Sequence, residues 1–178
     1  MVSQPPSLHQ RLRRVKLLVL DIDGVLSDGR VIYDSQGREI KIFDVKDGHG
    51  LKLLMRAGIE VVLLSGRASQ ANLRRAAELG IDEVHQDCKV KLPVFLELVE
   101  RRGLELEEVA YMGDDLIDLP PLRRAGLSLC PADAVAEVRA VAHWIADKPG
   151  GRGAVRQACE LILKAGDAWN QVTARYQE

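Results

Sequence analysis

KLLVLDIDGVLSDG, residues 16–29, closes an apolar run with two carboxylates that have one residue between them. The run reads as a buried strand, and Asp21 and Asp23 stand where it stops. Aspartate forms strands poorly, and two like charges this close repel. A cation, a proton or a reaction that uses both groups has to offset that cost.

Working outward, two further apolar runs resemble the first: IEVVLLS at 59–65 and VAYMGD at 109–114. EVHQ at 83–86, LSLC at 127–130 and HWIAD at 143–147 are weaker strand candidates. Helical stretches fall between them at about 47–57, 69–79, 91–102, 116–125, 134–140 and 152–165. Gly58, Gly80, Gly103 and Gly126 follow such stretches, where a left-handed cap belongs. Strand alternating with helix predicts an α/β domain with a mainly parallel sheet over 15–166. Residues 1–14 read as a polar, Pro-containing N-terminal arm and 167–178 as a C-terminal tail. RVIYDSQGREIKIF, residues 30–43, alternates apolar and polar around Asp34–Gly37 and predicts a β-hairpin inserted after the first strand.

A chain of 178 residues, 47% hydrophobic and 29% charged, suits one folded domain and argues against disorder. A formal net charge of −1 gives no reason to expect nucleic acid or a membrane surface as partner. No apolar run is long enough to span a bilayer, and the N-terminal residues lack an apolar signal segment, so a cytoplasmic location is the expectation. Cys88, Cys130 and Cys159 are odd in number and widely spaced, which reads as reduced thiols.

Ligands in parallel sheets bind at the carboxyl ends of strands. Here the three best strands end in Asp21-Ile22-Asp23-Gly24, in Ser65-Gly66-Arg67, and in Gly113-Asp114-Asp115 with Asp118 following. Converging carboxylates suit Mg2+, which takes oxygen ligands and keeps several waters. Asp21 and Asp114 are the candidate side-chain ligands, with a backbone carbonyl near Asp23. Ser65 offers a hydroxyl and Gly66 an open N–H to a phosphoryl oxygen, and Lys91 adds a positive charge. Such a set suits phosphoryl transfer, with Asp21 as nucleophile and Asp23 as acid, then base. Asp115 and Asp118 read as supports or helix-start residues that do not touch the ion.

DIDGVL, SGR, Lys91 and GDDLID together resemble the four ordered motifs of the haloacid dehalogenase-like phosphatases, over residues 17–118. The resemblance implies a Rossmann-like three-layer sandwich, and the short gaps between motifs leave no room for a cap domain. FDVKDGHGLKLL, GDDLIDLP and PGGRGAVRQACELIL further resemble the capless sugar-acid phosphatases of bacterial lipopolysaccharide precursor synthesis, which act on 3-deoxy-D-manno-octulosonate 8-phosphate. That branch implies a Mg-dependent homotetramer with hairpins packed between subunits and a C-terminal segment reaching a neighbour's site. It implies Asp21, Asp23 and Asp114 as the metal and catalytic set, and Lys91 on the phosphate. It also implies substrate contacts from Asp23, Asp44, Val45, Lys46, Asp47, Gly48, Lys52, Ser65, Gly66, Arg67 and Arg75, some across a subunit boundary. Asp44 stands where that branch usually has Asn, and Lys46 and Lys52 where it has Arg; lysine keeps the charge but loses the bidentate fork.

Three alternatives compete. A phosphatase of nine-carbon sugar-acid 9-phosphates shares the mechanism, but that branch carries an acidic residue where Arg67 stands. A receiver-type signalling domain also forms an aspartyl-phosphate, but its acceptor lies on a middle strand. A non-enzymatic relative kept for assembly conflicts with the intact motif set. Residue by residue, plainer roles compete as well. Asp21 and Asp23 could cap a turn, Ser65-Gly66 could merely join strand to helix, Arg74 and Arg75 could be a solvated helix face, and the glycines of PGGRG a mobile loop. Trp169 and Tyr176 are expected in or beside a frayed terminus.

Overall fold

The computed structural model describes residues 5–177. The chain runs α1 (Leu8–Leu12), β1 (Leu17–Leu20), β2 (Ile32–Tyr33), β3 (Glu39–Ile40), α2 (Val45–Arg56), β4 (Glu60–Leu64), α3 (Gln70–Leu79), β5 (Val84–His85), and α4 (Lys91–Arg101). It continues through β6 (Val109–Met112), α5 (Leu119–Leu122), β7 (Leu127–Cys130), α6 (Ala136–Val141), β8 (Trp144–Ile145), α7 (Ala154–Ala165) and α8 (Trp169–Thr173). Six strands form one parallel sheet in the order β5-β4-β1-β6-β7-β8. Strand β1 lies at the centre, and the chain leaves it first to one side and later to the other. The carboxyl end of β1 is therefore the topological switch point, where a crevice opens in this class of sheet.

The continuous apolar run of β1 exists because both faces of the sheet are covered. Leu17 and Val19 pack with Phe95, Leu98 and Tyr111 in one layer. Leu18 and Leu20 point the other way, into a layer with Leu51, Leu54, Val155 and Ile162. Helix α3 starts on a Ser69 cap, whose hydroxyl accepts from the Ala71 N–H, and stops at Gly80 with φ +76°. Between β1 and β4 lie only the hairpin and α2, so no cap domain covers the β1 edge.

All six strands and the hairpin form where the periodicity placed them. The hairpin pairs Ile32 with Ile40 and Tyr33 with Glu39, and Gly37 takes φ +75° at its turn. Four expectations need correction. Residues 8–12 of the N-terminal arm are a helix, capped by Ser7, whose Leu12 is buried in the core. The stretch 116–125 is a 3-10 turn, Leu116–Asp118, followed by a four-residue helix, because Pro120 and Pro121 lack the N–H groups a longer helix needs. The tail is not frayed: Val172 enters the core, Trp169 packs against it, and the Tyr176 hydroxyl bonds to Arg56 at 2.8 Å and His49 at 3.0 Å. The PGGRG loop is closely seated: a Cβ on Gly150 would fall 1.7 Å from the Gly24 carbonyl oxygen, and the Gly151 N–H donates to Val25 O at 2.9 Å. Among the described residues no helix is long and apolar enough to cross a membrane, and the three cysteines are free thiols.

Phe95 is fully buried and meets Tyr111 edge-on at 5.7 Å between centroids. Replacing Phe95 with Ala should cost about 3–5 kcal/mol of unfolding free energy, read as a lower urea midpoint at unchanged slope.

Candidate active site

Beyond Leu20 the chain leaves the sheet, and Gly24 turns it at φ +90°. A side chain at Gly24 would collide with Asp114, since its Cβ would lie 2.0 Å from Asp114 Oδ2. Glycine is therefore what lets the β1 and β6 loops close on each other. Gly113 plays the same part beside Asp118, where a Cβ would sit 2.4 Å from the carboxyl carbon. The crevice is a cavity of about 370 Å³, lined by Asp21, Asp23, Gly66, Lys91, Asp114 and Asp115 among others. All four motifs place side chains on its wall.

The centre of the site is a buried charge cluster. Lys91 Nζ lies 2.7 Å from Asp21 Oδ1 and 2.6 Å from Asp118 Oδ1, with no side-chain exposure. Burial opposes the lysine's charge, but Asp21 and Asp118 outweigh it and raise its pKa. Burial, then the Asp118 charge, lifts Asp21 to about 7, with Lys91 pulling the other way. Burial, then Asp21 and Asp118, lifts Asp114 to about 8. Three carboxylates thus crowd around one lysine, and the excess negative charge is uncompensated by the protein.

That imbalance fits a divalent cation. Asp114 Oδ1 is buried without a hydrogen-bond partner, and an unsatisfied buried oxygen carries a desolvation cost that a hard cation relieves. Carboxylate oxygens of Asp21, Asp114 and Asp118 all lie within 4.8 Å of one another. Asp118, however, is already committed. Its Oδ1 accepts from Lys91 and, at 2.7 Å, from the Tyr111 hydroxyl; its Oδ2 accepts from the Asp114 and Asp115 N–H groups at 3.0 and 3.3 Å. Asp118 therefore fixes Lys91 and the Asp114 loop, and Asp21 and Asp114 are the side chains with oxygens to give.

The remaining sequence candidates divide. Ser65 is fully buried, and its Oγ accepts from the Arg67 N–H at 3.2 Å, while Gly66 reaches the cavity wall. Arg67 lines the cavity but its guanidinium is held by Glu39 at 2.6 Å. Asp115 is exposed and caps its own turn through Leu116 N at 2.7 Å. Asp44, Val45 and Lys46 line a separate cavity with Phe43 and Arg152, not the crevice of Asp21. Asp44 caps α2, accepting from the Lys46 N–H at 2.6 Å. Asp47 is fully buried, and its carboxylate accepts from Gly153 N at 3.1 Å and Arg156 N at 2.7 Å, tying α2 to the start of α7. Gly48 is buried under Arg75, whose Nη2 would lie 2.4 Å from a Cβ there. Arg75 spans Asp44 O at 3.2 Å and the Phe43 ring, and together with Lys52, half-buried on α2, it stands outside the crevice lining within this chain.

Four residues that the sequence did not single out belong to the site. Lys41 ion-pairs with Asp23 Oδ1 at 2.6 Å, Glu39 holds Arg67, Tyr111 holds Asp118, and Lys89 Nζ donates to Gly66 O at 2.7 Å. Only the alternation of the hairpin carried any signal for Lys41 and Glu39, which share one face of it.

The raised carboxyl pKa values give a signed pH dependence. In the unfolded chain Asp21 and Asp114 titrate near 3.8, whereas folded they hold protons to about 7 and 8. The folded state binds more protons, so this contribution to stability is complete below about pH 4 and fades as pH rises through 7 to 8. Without divalent ion the melting temperature should fall over that interval, and Mg2+ should restore it more at pH 8 than at pH 5. Asp114→Asn should raise the metal-free melting temperature at pH 8 and remove the Mg2+ response.

The haloacid dehalogenase-like hydrolase family matches residues 38–126, and the relatives extend the likeness back across the Asp21 loop. The 3-deoxy-D-manno-octulosonate 8-phosphate phosphatase of Yersinia pestis is 42% identical over 158 residues, covering 89% of this chain and 84% of its own. The same enzyme of Escherichia coli K12 is 41% identical over 155 residues, covering 87% and 82%. A crystal structure of that phosphatase from Moraxella catarrhalis, in complex with magnesium, phosphate and a KDO molecule, superposes with a TM-score of 0.92 at 43% identity, over 94% of this chain and 97% of that one. The cobalt-bound form from Haemophilus influenzae gives 0.87 at 38% identity, over 93% and 97%. With matches of this extent to sequences and structures alike, the chain belongs to the haloacid dehalogenase-like hydrolases, in the family of 3-deoxy-D-manno-octulosonate 8-phosphate phosphatases.

Proposed function

We propose that the protein is a Mg-dependent phosphoric monoester hydrolase that converts 3-deoxy-D-manno-octulosonate 8-phosphate to the free sugar acid and phosphate, in lipopolysaccharide precursor biosynthesis. The observation that carries this reading is the Lys91-centred cluster at the β1 edge, with Asp21 and Asp114 left short of positive charge. Asp21, Asp114 and the backbone carbonyl of Asp23 are the groups to hold the ion. When bound, Mg2+ supplies the positive charge that keeps both carboxylates ionised and neutralises the phosphoryl oxygens.

The chain's own residues account for the rest. Lys91 holds Asp21 by Oδ1, orienting the carboxylate toward phosphorus. Asp21 attacks, the P–O ester bond breaks, and Asp23 gives its proton to the departing sugar oxygen. Water then attacks the aspartyl-phosphate, Asp23 takes the water's proton, and the bond to Asp21 breaks to release phosphate. The Gly66 N–H, on the cavity wall, and the Ser65 hydroxyl behind it are the donors for the phosphoryl oxygens. Arg67, on the cavity wall, faces the sugar-acid carboxylate and must exchange Glu39 for it.

The substrate assignment is tested by phosphate release over a panel of sugar phosphates. The octulosonate ester should lead, the nine-carbon 9-phosphate should lag, and chelation should abolish both. Arg67→Ala should raise KM for the octulosonate ester about tenfold to a hundredfold, by loss of a charged hydrogen bond of ~1.5–3 kcal/mol, and leave a small phosphate ester nearly unaffected. Equal effects on both would remove Arg67 from carboxylate recognition.

We further place the enzyme in the cytoplasm as a homotetramer whose sites are completed by neighbouring subunits. Free thiols support the compartment. The hairpin supports the assembly: Tyr33, Ile40, Ile42 and Val45 expose 61%, 45%, 61% and 79% of their surface, an apolar patch that a second copy covers. The cavity lined by Asp44, Val45 and Lys46 opens beside this patch, where a neighbour brings those residues to a site. Ile40→Glu with Ile42→Glu should shift the mass in light scattering from four subunits to fewer. A wild-type monomer would overturn the assembly.

A further inference from the structure

Lys41 inverts the usual order of a surface hairpin. Its neighbours Ile40 and Ile42 face outward, 45% and 61% exposed, while the lysine side chain is 1% exposed. A lysine is almost never so buried unless paired. Its partner is Asp23 Oδ1 at 2.6 Å, and the other oxygen, Asp23 Oδ2, is buried with no partner. Two residues earlier on the same face, Glu39 is 13% exposed and holds Arg67 at 2.6 Å. The inner face of the hairpin thus grips the acid/base and the sugar-recognition arginine together.

We propose that Lys41 is a positioning residue for Asp23: it fixes Oδ1, so that the transferable proton resides on Oδ2 and is aimed at the departing oxygen. The chemistry of the ammonium group forces this division. It has three donors and no acceptor, so a carboxyl oxygen bound to it cannot carry the proton toward it. The acid form of Asp23 is therefore protonated on Oδ2. That proton passes to the ester oxygen as the P–O bond breaks, and the proton of the attacking water returns to Oδ2. Held by one short contact, the side chain also loses the rotation that would carry Oδ2 away. Because Ile40 and Ile42, which flank Lys41, face outward, the proposed subunit packing and the aim of the acid are set by consecutive residues.

This inference rests on the phosphatase reading, with Asp23 as acid and base. The experiment compares kcat/KM for the sugar phosphate and for p-nitrophenyl phosphate in Lys41→Met. An alkoxide needs the proton to leave, whereas a nitrophenolate does not. The sugar phosphate should lose at least about tenfold more than the nitrophenyl ester, and Lys41→Arg, which keeps a charged donor, should narrow the gap. The ratio within one sample is independent of the fraction of folded protein, and Lys41→Gln provides the same comparison if the Met variant does not fold. Equal losses on both esters, or no loss, would overturn the role of Lys41. Failure of the wild type to release phosphate from either ester would instead overturn the phosphatase reading itself.

Discussion

The contact of Lys91 with Asp21 and Asp118 is the constraint on which the site depends. A fully buried lysine is tolerable only with carboxylates around it, and here one of them is Asp21, the proposed nucleophile. Asp118 carries no spare capacity: Lys91, Tyr111 and two backbone N–H groups consume its oxygens. The cluster is thus a frame that leaves Asp21 and Asp114 close together and short of positive charge. Metal affinity and nucleophile orientation follow from the same arrangement.

The fold supplies that frame through close backbone approaches. The strands β1, β4 and β6 are adjacent in the sheet, so their carboxyl ends share one crevice although they lie far apart in sequence. Gly24 and Gly113 then remove the side chains that would hold the loops apart, and Gly150 and Gly151 seat the loop before α7 against the loop of Asp23. Asp47 extends the tie by joining α2 to the start of α7. A pair of glycines in a motif that reads as flexible is here a condition of tight packing.

Above this edge stands the hairpin. Its inner face presents ions to ions, Glu39 to Arg67 and Lys41 to Asp23, and its outer face is apolar. With no cap domain to exclude water or contact the sugar, the hairpin is what remains in this chain to form a wall over the crevice.

The sequence by itself determined the parallel α/β sheet, the order of its elements, the hairpin and the candidate set Asp21, Asp23, Lys91 and Asp114 that meets in one crevice, because strand and helix periodicities and strand-end motifs are local properties. It also suggested Asp118 as a support, but local order could not say that four hydrogen bonds occupy its oxygens. Only the tertiary structure decided that Asp47 caps α7, that Arg75 packs on Phe43 outside the crevice, that the C-terminal residues fold onto α2, and that Lys41 points inward. Each of those depends on which distant group stands opposite. A charged side chain reads the same in sequence whether water or a buried carboxylate is its partner.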